Sequence, residues 1–149
     1  MWQLTVGDLL DENIESICNN PCTLYVVTDN LSDLTFYVGK STRQVLVRLY
    51  EHLGRGQNWV GGFPGYPDHL GRFILRRLPW ARDWLIWLLT LEDVMPIPEK
   101  KLPYDWRVDN AERLLIGKLR PCLNTVNAHY DIDVPMHYLD PAQYEVRGA

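Results

Sequence analysis

Two short β-prone runs joined by a turn are the feature that most constrains the fold of this chain. Residues 23–28 and 34–39 are rich in apolar and β-branched side chains, and each run contains a tyrosine, Tyr25 in the first and Tyr37 in the second. The residues between them include Asp, Asn and Ser, which favour turns because their side chains bond to the local backbone. The pattern predicts a β-hairpin that carries both tyrosines.

The rest of the chain alternates helical and strand signals. Apolar residues at helical spacing predict helices over 7–17, 43–53, 68–78 and 109–119. The apolar run 84–91 predicts a third strand that is covered on both faces. A glycine-rich stretch from Gly54 and a proline-rich stretch over 95–107 are expected to be loops, with Asp68 as the N-cap of the third helix. A mixed α/β (α+β) domain is therefore expected.

The bulk properties fit a single domain in a reducing compartment. The 149 residues are expected to form one domain, 1–149, with a core over about 22–125 and the N-terminal helix and C-terminal tail as additions. Three cysteines are an odd number, which gives no paired disulfide framework, and the acidic N-terminus does not resemble a signal peptide. The apolar run Trp84–Leu89 is too short to span a bilayer, so we expect a cytoplasmic protein with no membrane partner.

The charge is unevenly distributed along the chain. Residues 1–39 contain six acidic residues and no Lys or Arg, whereas residues 40–82 contain eight basic residues and two acidic ones. A basic segment inside a chain of net charge −4 is typical of a phosphate-binding face. The same segment is also compatible with an ordinary solvated helix surface.

Arg48 and His52 lie four residues apart on the predicted helix 43–53, so they share one face of it. The apolar residues of this helix centre on a neighbouring face, which places the Arg/His pair at the edge of the helix–sheet interface, half sheltered from solvent. Such a pair at the rim of a cleft would combine a phosphate-binding group with a proton acceptor. The alternative is a surface arginine beside a partly buried histidine of structural importance only.

Glu112 falls inside the apolar sector of the predicted helix 109–119, with no basic residue at the neighbouring helical positions. A carboxylate that faces a core needs a partner, and a divalent metal ion would serve. A structural alternative is equally explicit: Asp109 to Glu112 match a capping box, in which Asp109 is the N-cap and Glu112 bonds back to its amide.

Taken together, these residues resemble the GIY-YIG nuclease family from about Thr23 to Asn124. Thr23-Leu24-Tyr25 stands at the first family motif and Tyr37-Val38-Gly39 at the second, with Lys40-Ser41 after it. Arg48 and His52 fit the helix motif, Glu112 the metal-binding glutamate, and Pro121-Cys122-Leu123-Asn124 the closing P-x-L-N element. Thr23 is a departure, because the family has glycine there.

The resemblance implies a GIY-YIG-like domain with a central three-stranded antiparallel sheet flanked by helices, and metal-dependent hydrolysis of DNA phosphodiesters. Glu112 would hold one Mg²⁺ or Mn²⁺, whose remaining ligands are water and phosphate oxygens. Tyr25 would deprotonate the attacking water, directly or through His52, if nearby cations such as Arg48 favour its phenolate. Tyr37 would position water or phosphate, and Arg48 would bind the scissile phosphate.

The resemblance also suggests which residues extend the DNA-binding surface. Lys40 is a candidate phosphate contact, and Asn124 is expected to orient the site from a second layer of residues. The expected basic face along the DNA backbone consists of Arg55, Arg72, Arg76 and Arg77. The alternative function is a catalytically inactive GIY-YIG fold that binds nucleic acid or protein. The acidic first 39 residues are the expected surface for a protein partner or a homodimer.

Overall fold

A computed structural model describes residues 1–55, 66–95 and 103–124. The predicted tail from Thr125 and most of the glycine-rich stretch lie outside the described residues. The described chain forms a mixed α+β fold with one antiparallel sheet.

The sheet has four strands, not the expected three. They are β1 (Trp2–Thr5), β2 (Leu24–Thr28), β3 (Thr35–Lys40) and β4 (Leu85–Leu89), in the spatial order β1-β4-β2-β3. The predicted hairpin is confirmed, with Tyr25 opposite Gly39, and so is the covered third strand, which is central. β1 was not predicted; it pairs with β4 from Trp2 opposite Leu88 to Thr5 opposite Leu85.

Five α-helices lie in the described ranges; the first covers only the start of the predicted helix 7–17, the fourth was not predicted, and the others differ from the prediction mainly at their ends. They are α1 (Val6–Leu10), α2 (Val45–His52), α3 (His69–Leu75), α4 (Leu91–Val94) and α5 (Tyr104–Leu119). The Asp68 cap is confirmed, because its side chain accepts from the Gly71 amide. No helix in the described ranges is both long and apolar enough to cross a membrane.

α5 begins five residues before the predicted start, and this removes the capping box. Its N-cap is Pro103, so Asp109 lies inside the helix with a backbone that needs no cap. The capping interpretation of Glu112 was therefore wrong.

The alternation of side chains along the strands divides the interior into two cores. Tyr25 and Val27 of β2 face the core formed with α1, α2 and α3, where Phe36, Phe73 and Trp84 pack together. Leu24 and Val26 face the core formed with α4 and α5. The tyrosines of the hairpin therefore point towards α2 and α3.

Candidate active site

The centre of the candidate site is the buried Tyr25, whose ring occupies space that Gly39 leaves open. Tyr25 is 1% exposed and lies opposite Gly39 across the hairpin. A Cβ atom at position 39 would overlap Cζ and the hydroxyl of Tyr25, and would be 2.6 Å from Cε2. The glycine of the second tyrosine motif, Gly39, is therefore needed to make room for the tyrosine of the first motif, Tyr25.

His52 ends α2 directly beside this tyrosine. The Tyr25 hydroxyl lies 2.6 Å from Nε2 of His52. His52 is itself 1% exposed, so the prediction of a half-sheltered position at the edge of the interface was wrong for this residue. Both partners are shielded from water, so a proton can pass between them without competition from solvent.

Asp68 binds the other ring nitrogen, and sequence analysis assigned it only a capping role. One carboxylate oxygen of Asp68 pairs with Nδ1 of His52, and the other accepts the Gly71 amide at 3.0 Å. The Asp68 amide also donates to the carbonyl of His52 at 3.0 Å. Asp68, His52 and Tyr25 thus form one continuous hydrogen-bond chain.

A close crossing of α2 and α3 makes this chain possible. A Cβ atom at Gly71 would overlap the carbonyl oxygen of His52 and lie 2.7 Å from its carbonyl carbon. Only a residue without a side chain lets the start of α3 approach the end of α2 so closely. Gly71 therefore brings the cap residue Asp68 within reach of the His52 ring.

Tyr37 packs against this hydrogen-bond chain on the side that faces solvent. Its ring stacks on Tyr25 with centroids 6.1 Å apart and meets the edge of the His52 ring at 5.3 Å. Unlike Tyr25, Tyr37 is only partly buried, and the Tyr25 side chain lowers the pKa of Tyr37 in part. Tyr37 is therefore the member of the pair that a water molecule can reach.

Burial keeps both tyrosines in their neutral form. It raises the pKa of Tyr25 well above its usual value and also raises the pKa of Tyr37, and Arg48 offsets only part of each rise. A phenol with a raised pKa is protonated at neutral pH. The geometry thus favours a neutral Tyr25 that donates to His52, in contrast to the expected phenolate.

Arg48 lies near both tyrosines, since its charge lowers the pKa of each. Its guanidinium is 3.7 Å from Oε2 of Glu51, which is also paired with Arg43. The side chain of Arg48 is one-third exposed, so an incoming phosphate can reach it. Arg43 and Arg48 together carry one more positive charge than Glu51 neutralises, so this group of three side chains has a net positive charge.

Glu112 carries a half-buried carboxylate on α5 that forms no hydrogen bond or close ion pair with any residue in the described parts of the chain. Burial raises its pKa, while Lys40 and Arg113 lower it in part. Its charge also raises the pKa of Tyr25 and Tyr37, as expected for groups that share a site. An unpaired, half-buried carboxylate fits a metal ligand.

The donor set around Glu112 is sparse. Within the three described ranges, no group of three or more His, Cys, Asp or Glu side chains is arranged to hold a metal ion. One carboxylate is nevertheless sufficient for Mg²⁺, which keeps several water ligands and shares substrate phosphate oxygens. Lys40, the expected phosphate contact, is paired with Asp109 on α5.

Asn124 and Thr23 support the hairpin from its two sides. Asn124 accepts from the Val38 amide at 2.9 Å and donates to the Val38 carbonyl at 2.8 Å, so it fixes the edge strand β3 between Tyr37 and Gly39. The Thr23 amide donates to Leu89, and its carbonyl accepts from Ser41. Thr23 has no positive φ, so the backbone here does not require the glycine that the family has.

The predicted basic face divides into exposed and buried members. Arg55, Arg72 and Arg76 are exposed, and Arg55 donates to the carbonyl of Leu10 at 3.1 Å. Arg77 is 2% exposed; it donates to the Phe73 carbonyl and stacks over the Phe73 ring. A buried guanidinium cannot contact a phosphate backbone, so the structure does not support Arg77 as part of this face.

No protein-family model, curated protein or solved structure matches this chain.

Proposed function

We propose that this protein is a metal-dependent endonuclease that hydrolyses DNA phosphodiester bonds. The observation that carries the proposal is the hydrogen-bond chain from the buried Tyr25 and His52 to the half-buried Asp68, which lies near Arg48 and Glu112. A proton acceptor, a phosphate-binding cation and an unpaired carboxylate are the groups that such a hydrolysis requires.

The proton path follows the exposure of the side chains. The attacking water meets Tyr37 and transfers a proton to its oxygen, while Tyr37 passes its own proton to Tyr25 and Tyr25 passes one to Nε2 of His52. The hydroxide then attacks phosphorus, the P–O bond to the 3′ oxygen breaks, and that oxygen takes a proton from solvent. His52 becomes an imidazolium, which the Asp68 carboxylate stabilises.

Two positively charged groups, Arg48 and a metal ion on Glu112, would stabilise the negative charge of the phosphate. Arg48 would bind a non-bridging oxygen of the scissile phosphate through charge-assisted hydrogen bonds. Glu112 would hold Mg²⁺ or Mn²⁺, which when bound supplies positive charge for the phosphate and the leaving oxygen. Lys40 would contact an adjacent phosphate once it exchanges its partner Asp109 for that phosphate.

The test is incubation of supercoiled plasmid with the wild-type protein in Mg²⁺ or Mn²⁺, with and without a chelator. We expect metal-dependent nicking that the chelator abolishes and that Glu112→Ala lowers at least about 100-fold, since it removes the proposed metal ligand. Glu15→Ala removes an exposed carboxylate outside the site and should nick like wild type.

Absence of nicking by the wild-type protein on supercoiled, linear, branched and damaged DNA would contradict the proposal. The chain would then be better explained as a nucleic-acid-binding or protein-interaction module. A Glu112→Ala protein that is folded and fully active would contradict the metal role alone.

A further inference from the structure

Asp68 makes three hydrogen bonds, two of them to His52, which is more than a helix cap requires. Its carboxylate binds both the Gly71 amide and Nδ1 of His52, and its own amide binds the His52 carbonyl. Capping α3 uses only the first of these contacts. The other two fix Asp68 relative to the histidine ring.

The charge state of Asp68 decides which nitrogen of His52 carries the proton. Burial raises the pKa of this carboxyl, but the hydrogen bonds from His52 and Gly71 outweigh it and the pKa is lowered. An ionised carboxylate only accepts, so Nδ1 must be the protonated nitrogen of the neutral ring. Nε2 is then the acceptor that faces the Tyr25 hydroxyl.

We propose that Asp68 is a positioning residue that holds His52 in the Nδ1–H tautomer, so that Nε2 can take the proton from Tyr25. This inference rests on the proposed nuclease function, which gives the proton transfer its purpose. In this role Asp68 acts on the reaction only through the orientation and charge of the His52 ring.

The substitution Asp68→Asn isolates this role because it keeps the helix cap. Asn caps helices as well as Asp does. The Gly71 amide needs an acceptor, so the amide oxygen of the new side chain faces Gly71 and its NH₂ group faces Nδ1 of His52. The ring must then accept at Nδ1 and carry its proton on Nε2, which reverses the direction of the hydrogen bond to Tyr25.

Two measurements on the full chain test the inference: the tautomer of His52 is measured without added metal, and the nicking rate is measured with it. In ¹⁵N-histidine-labelled protein, the ring shifts of His52, assigned with a His52→Gln variant, should report Nδ1–H in wild type and Nε2–H in Asp68→Asn. The rate of metal-dependent plasmid nicking by Asp68→Asn should be lower than that of wild type by a factor of about 10 to about 10⁴. The larger factor is the loss that a wrong tautomer causes in a Ser-His-Asp triad.

Asp8→Asn is the matched control, because Asp8 is the capping-box residue of α1 and accepts the Thr5 amide at 3.0 Å. It should change neither the His52 tautomer nor the nicking rate. An Nε2–H tautomer in wild type, or an Asp68→Asn protein with wild-type tautomer and rate, would overturn the inference. A wild type that shows the predicted tautomer but cuts no DNA would overturn the nuclease function and leave the tautomer assignment standing.

Discussion

The half-buried carboxylate of Glu112 lowers the stability of the metal-free protein. Burial raises the pKa of its carboxyl, which means that the folded protein disfavours the charged form that a metal ion would bind. Lys40 and Arg113 relieve only part of this cost. Without bound metal, the ionised carboxylate therefore destabilises the native state.

Glu112→Gln should stabilise the metal-free protein in a pH-dependent way. Below the ordinary carboxyl pKa of 4.5, Glu112 is protonated in both states and resembles Gln, so the two proteins should unfold at similar free energies. As pH rises through the raised folded-state pKa, the unfolded chain loses its proton first and wild-type stability falls. The excess stability of the variant should grow over this range and then level off.

Urea unfolding in a chelator, repeated between acidic and neutral pH, measures this difference. Glu15→Gln changes an exposed carboxylate and should show no such rise. A difference that is constant with pH, or of opposite sign, would mean that Glu112 is not penalised by burial.

At the scale of elements, the strands of the hairpin and the helices α2 and α3 could be predicted because their signals are local. Residues 24–28 and 35–40 alternate between two cores, and α3 begins at a capping aspartate. β1 could not be predicted, since its four residues are stabilised by pairing with β4, which lies at least 80 positions away along the chain. The start of α5 was missed because Pro103 reads as part of a loop, although it occupies the N-cap.

A pair of glycine substitutions with opposite expected effects tests the packing of these elements. Gly39→Ala on β3 would push a methyl group into the Tyr25 ring, so we expect a loss of about 1–3 kcal/mol, as for other overpacked cores. Gly117→Ala on α5 meets no atom within 4 Å and should instead gain about 0.5 kcal/mol from helix propensity. Denaturant unfolding of the two variants beside wild type measures both effects.

Equal effects of the two substitutions would contradict the packing described for the hairpin. If Gly39→Ala is as stable as wild type, the Tyr25 ring does not occupy the space beside Gly39, and the nicking rate should also be unchanged. If the added methyl group displaces the Tyr25 ring, both the stability and the nicking rate should fall.

At the scale of the molecule, the part of the candidate site that could be predicted is the part that resembles a known motif pattern. Tyr25, Tyr37, Arg48 and His52 were found from order and spacing, and the structure brings them together. Asp68 was not assigned to the site, because its contact with His52 depends on how α2 crosses α3 at Gly71. No local pattern in the sequence encodes that crossing.

The burial of Arg77 could not be predicted for the same reason. Within the basic segment, only tertiary packing decides which arginine faces solvent, and Arg77 packs on Phe73 while Arg72 and Arg76 remain exposed. Asp68, Arg72 and Arg76 follow each other at intervals of four along α3 and its C-cap, so they share one side of the helix. The two exposed arginines therefore form a row that leads away from the proton chain.

Replacement of Arg72 and Arg76 together by Gln should weaken DNA binding and flatten its salt dependence, by up to about 0.9 in the log–log slope for each lost phosphate contact. Fluorescence anisotropy of a labelled duplex in chelator, over a range of salt concentrations, measures both quantities without cleavage. Lys118→Gln with Arg120→Gln is the control, since it removes two positive charges from the exposed end of α5. If both double variants lose affinity equally, only the net charge matters; if the α3 pair alone loses it, the DNA backbone follows α3 from the site.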